Sequence, residues 1–153
     1  MLKLITTLIS IAVFAPSASW ALNDSYSKNL IEKSVTAIEA STSKTQKMAL
    51  AKEFKQLVIM RADQIGEASL TNKSYDAESS ELVDLIVALD RATIKKANKH
   101  ECAKALNGLL TDAGIENVEE TEAQSWNQLQ FSLPSKMTPY EFVSFRVLKA
   151  ICE

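Results

Sequence analysis

Apolar residues in this chain recur mostly three and four positions apart, the period of helices that turn one face inward. After residue 24 only Pro134, Pro139, Gly66, Gly108 and Gly114 punctuate that pattern. The spacing predicts an all-α domain, a small bundle or orthogonal array of about five helices.

A first helix is expected from Ser25 to Ala40, with Asp24 as its N-cap and Leu30, Ile31, Val35 and Ile38 as its inner stripe. Ser41 to Ser43 break it. A second, from Lys44 to Glu67, turns Met48, Phe54, Leu57, Val58 and Ile65 inward. The polar run from Ser69 then ends at Asp76, a candidate cap for a third helix that buries Leu82, Leu85, Ile86, Leu89 and Ile94. Asp76, Glu78, Glu81 and Asp84 lie near its start, and Arg91, Lys95, Lys96 and Lys99 towards its end. That order suits the helix macrodipole, although the basic residues could also form a binding stripe.

Asn98, three places before Glu101, has the outline of a capping box and marks a break. Without that break the third and fourth helices would be one rod. The fourth helix, Lys99 to Ala113, has the most regular stripe: Cys102, Ala105, Leu106, Leu109, Leu110 and Ala113. Gly114 supplies its left-handed stop, and Ile115 is placed to fold back on the last turn.

The pattern weakens between residues 115 and 134, where an extended or irregular segment is expected. Leu129, Phe131 and Leu133 alternate as in a strand, while Val118, Glu122, Trp126 and Leu129 keep helical spacing, so both conformations stay open. The last helix is sharply marked by Thr138, Pro139 and Glu141, which supply N-cap, first-turn proline and capping-box acid.

The start of the chain changes the setting. Lys3, the uncharged run Leu4 to Ala15 and the triplet Ser19-Trp20-Ala21 form the layout of a secretory signal peptide, with cleavage expected after Ala21. The apolar run is about 12 residues, short of the roughly 20 that span a bilayer, so no stable anchor is expected after cleavage. Cleavage leaves residues 22–153, one domain, with 16 of the 17 basic residues against 19 acidic ones, a formal charge of −3. Mild acidity argues against nucleic acid as a partner. In a periplasmic or secreted protein the only two cysteines, Cys102 and Cys152, are expected to pair, stapling the fourth helix antiparallel to the last.

Candidate chemistry is sparse. His100 lies two residues before Cys102, but residues two apart on a helix do not face each other, which opposes a thiol nucleophile with a histidine base. With one histidine and no Cys-x-x-Cys, no metal motif is present, and no cofactor is expected. Glycine-rich phosphate loops and Gly-x-Ser-x-Gly are absent, and Glu78 and Glu81 on one helix do not by themselves identify an acid–base pair.

The sequence therefore leans away from an enzyme and towards a domain that binds another exported protein, as inhibitor, immunity protein or accessory subunit. Its candidate surface joins Glu119, Glu120 and Glu122 to Trp126 and Phe131, steering charges beside aromatic anchors. In the plainer alternative, Trp126 and Phe131 close the bundle and the glutamates are solvated. Another alternative is a carrier of a small apolar ligand or lipid between helices, lined by Met48, Phe54, Met60 and Leu89. A small cell-wall or peptide hydrolase is the third.

Overall fold

The computed structural model describes residues 25–153. The expected leader, its expected cleavage site and the cap expected at Asp24 lie outside them. The described chain is helical: α1 (Ser25–Ala40), α2 (Lys44–Ser69), a 3-10 turn (Lys73–Tyr75), α3 (Asp76–Ala92), α4 (Lys99–Asp112), α5 (Val118–Glu122), α6 (Trp126–Ser132), a second 3-10 turn (Leu133–Ser135) and α7 (Pro139–Cys152). Among the described residues there is no strand.

α7 is the apolar centre. Val143, Ser144, Phe145, Val147, Leu148 and Ile151 are all buried, too wide an arc for one neighbour to cover, and α7 packs on α1, α2, α3 and α4. Small residues set its approach to α3: the buried Ser144 hydroxyl donates to the Ala88 carbonyl across the pair. The start of α7 forms as its sequence dictates, Thr138 accepting from the Glu141 N–H at 3.3 Å while the Glu141 carboxylate accepts from the Thr138 N–H at 2.8 Å. At the other end, Lys47 and Lys44 of α2 donate to the carbonyls of Ala150 and Cys152, at 2.7 and 3.3 Å. These cations satisfy groups that helix geometry leaves open and oppose the negative end of the dipole.

α4 ends as its glycine implies. Gly114 has φ 65°, its N–H donates to the Thr111 carbonyl, and the Ile115 N–H reaches back to Leu110, both at 3.0 Å, a complete Schellman motif. Cys102, in the first turn of α4, is bonded to Cys152, in the last turn of α7, with Cα atoms 5.9 Å apart. The break before α4 is also present, with the Asn98 side chain accepting from the Glu101 N–H at 2.9 Å.

Two local expectations are corrected. α3 stops at Ala92, where Thr93 turns to φ −86°, ψ 68° and its hydroxyl donates to the Leu89 carbonyl. Lys95 and Lys96 consequently fall in the connection and Lys99 begins α4, so only Arg91 serves the end of α3. Asp76 is the first residue of α3 rather than its cap; Asn72 caps the preceding 3-10 turn by accepting from the Ser74 N–H at 3.0 Å. Residues 115–134 form the irregular segment expected, and of the two conformations left open there the helical one is found: two short helices separated by residues 123–125.

Candidate functional site

The segment singled out by its acids and aromatics is built from α5 and α6. Asn117 starts α5 from the left-handed region, φ 59°, which asparagine tolerates better than most residues. Thr121 alone of α5 is buried, leaving Glu119 and Glu120 exposed and Glu122 half-buried. α6 opens on a second reciprocal capping box, Ser125 with Gln128, and Gln130 accepts from Lys149 of α7 at 2.6 Å.

The two aromatics of α6 part company. Trp126 is half-buried against the fully buried Phe145, ring centroids 5.8 Å apart, so it closes the bundle. Phe131 is 87% exposed, whereas Leu129 and Leu133, two places to either side, are fully buried. Helical geometry explains the split: Leu129 and Leu133 share a face four residues apart, and Phe131 lies on the opposite side. Leu70, the other strongly exposed large apolar residue, sits at the C-cap of α2 beside a turn. Phe131, in contrast, stands on a helix capped at its start and tied to α7.

A second feature was not legible in the sequence. The disulfide clamps one end of the α4–α7 pair, and the other end opens with α3 into a groove of about 590 Å³. Val87, Ala88, Leu109 and Tyr140 give its apolar surface, and Asp84, Asp90, Asp112 and Glu141 bring carboxylates. Arg91 crosses one side to make a bidentate pair with Asp112, at 2.6 and 3.0 Å. Gly108 leaves room for that crossing: a Cβ there would lie 3.0 Å from the guanidinium, which would have to shift slightly. One signal was present: α3 carries Val83 and Val87 one turn apart, outside its core stripe, and they are 49% and 59% exposed.

Tyr140 walls this groove and its hydroxyl donates to the Glu81 carboxylate. Burial, then the bond to Glu81 and the charges of Glu81 and Asp84, raise its pKa well above the ordinary phenol value. The unfolded chain therefore ionises this phenol first as pH rises. Its stabilising contribution is complete below about pH 10 and is lost above it. Substituting Tyr140→Phe is expected to flatten the fall of stability between about pH 10 and 12, measured by urea unfolding at each pH.

Other sequence candidates are placed as follows. Cys102 is in the disulfide, so it offers no thiol, and His100 is exposed in the first turn of α4. Phe54 and Leu89 are in the core and Met48 packs against it, but Met60 is 57% exposed, so the four do not line one cavity. Among the described residues no three His, Cys, Asp or Glu side chains converge to hold a metal ion, and no helix is long and apolar enough to cross a membrane. Compared with protein-family models, with curated proteins and with solved structures, the chain matches none.

Proposed function

We propose that the protein is exported, loses residues 1–21, and acts without catalysis by binding another exported protein through the α5–α6 surface, as an inhibitor, immunity protein or accessory subunit. The observation that carries this reading is Phe131, a large apolar ring exposed to water on a helix capped at its start and tied to α7 through Gln130. Sealing such a ring in a partner's pocket releases about 1.5–3 kcal/mol that the isolated domain forgoes. The helix that carries the ring is already formed, so binding has to order the side chain and not the backbone. Glu119 and Glu120, exposed on the neighbouring helix, supply charge that speeds encounter with a basic partner surface. The disulfide supports an oxidising compartment.

The test is capture from the source organism's periplasmic and secreted fractions under non-reducing conditions, with wild type and Phe131→Ser side by side. The variant is expected to keep its unfolding midpoint, because the ring contributes little to the core. Its affinity for the retained partner is expected to drop by about thirtyfold, as for an interface anchor. A partner held equally by both proteins, or no partner at all, refutes the proposal.

A further inference from the structure

We infer that the groove between α3, α4 and α7 is a second contact surface, and that it receives a segment of a partner protein carrying apolar and basic side chains. This rests on the protein-binding reading but uses residues from different elements. Two observations define the occupant. The first is the unpartnered apolar strip of α3: exposed Val83 leads in one turn to exposed Val87, which continues into the groove beside Ala88, Leu109 and the Tyr140 ring. These valines add little to the core, and an apolar surface within a concave wall is what a partner's side chains fill.

The second is charge. The groove brings together four carboxylates and one guanidinium, and that guanidinium is already taken by Asp112. Asp90 pairs with Lys55 from α2, and Glu141 caps α7, leaving Asp84 beside Val87 with no ion pair among the described residues. Behind it stands Glu81, whose carboxylate accepts from Tyr140. The field there is negative, and the local side chains do not neutralise it. An apolar side chain would settle on Val87 and Ala88, and an adjacent lysine or arginine would meet Asp84. An acidic segment would be repelled.

The experiment follows backbone amide shifts of the purified, disulfide-bonded protein as two short capped peptides are added, one alternating leucine with arginine and the other leucine with glutamate. The leucine–arginine peptide is expected to shift amides in residues 83–91, 109–112 and 138–141, and its glutamate counterpart to leave them in place. The exposed substitution Asp84→Asn, which touches no core contact, is expected to weaken the basic peptide about threefold, and added salt to weaken it in the wild type. Val87→Ser tests the apolar half and is also expected to weaken it. Absence of groove shifts at millimolar peptide, or equal shifts with both peptides, overturns the inference. Either outcome leaves the Phe131 capture result standing on its own.

Discussion

Replacing Cys102 and Cys152 together by serine lowers the unfolding free energy by about 4 kcal/mol, the loop-entropy value for a bridge between residues 50 apart in sequence. That is a large share of the 5–15 kcal/mol typical of domains, so the doubly substituted protein should unfold at a much lower urea concentration. The dependence on urea should also steepen, because the denatured chain becomes more open once the link is gone. A loss below about 1 kcal/mol would mean that packing alone holds the ends of α4 and α7 together. Reduction of the wild-type bond should give the same shift as the double substitution.

Phe145→Ala is expected to cost about 3–5 kcal/mol, the range for truncating a buried phenylalanine. The ring is fully buried and lies 5.8 Å, centroid to centroid, from both Trp126 and Phe142. Its removal opens a cavity under Trp126, the only tryptophan among the described residues, so emission of that residue should move as stability falls. Because Trp126 is the first residue of α6, the same substitution should loosen the helix that presents Phe131. Partner affinity should therefore fall even where the variant is still folded. A cost below about 2 kcal/mol would show that α6 settles inward to fill the space.

The elements whose signals are local were legible in the sequence. Thr138, Pro139 and Glu141 define the start of α7 within four residues, and Gly114 with Ile115 defines the end of α4; each involves only backbone groups close in sequence. The end of α3 was not legible, because Ile94 is buried although it lies past the helix, so the apolar stripe runs on while the backbone has turned at Thr93. In α6 the alternating apolar residues suit a strand as well as a helix, and the helix is too short for its period to decide. Whether Phe131 faces in or out depends on that choice. The groove is a different case: Asp84, Asp112 and Tyr140 belong to three helices, and only tertiary packing brings them together.

α7 packs on four earlier helices, and the described chain ends one residue beyond it. The ribosome makes these residues after all the others described, so α1, α2 and α3 can pair with one another first, but the inner surface they share with α4 is completed only when α7 is made. Contacts such as Lys44 with Cys152 and Glu39 with Arg146 join positions more than a hundred residues apart, and closing such long loops slows folding. Under the export proposed above, this order of synthesis has a use. Under that proposal the covalent link, which needs Cys152, closes only once the last turn of α7 has emerged with the other described residues.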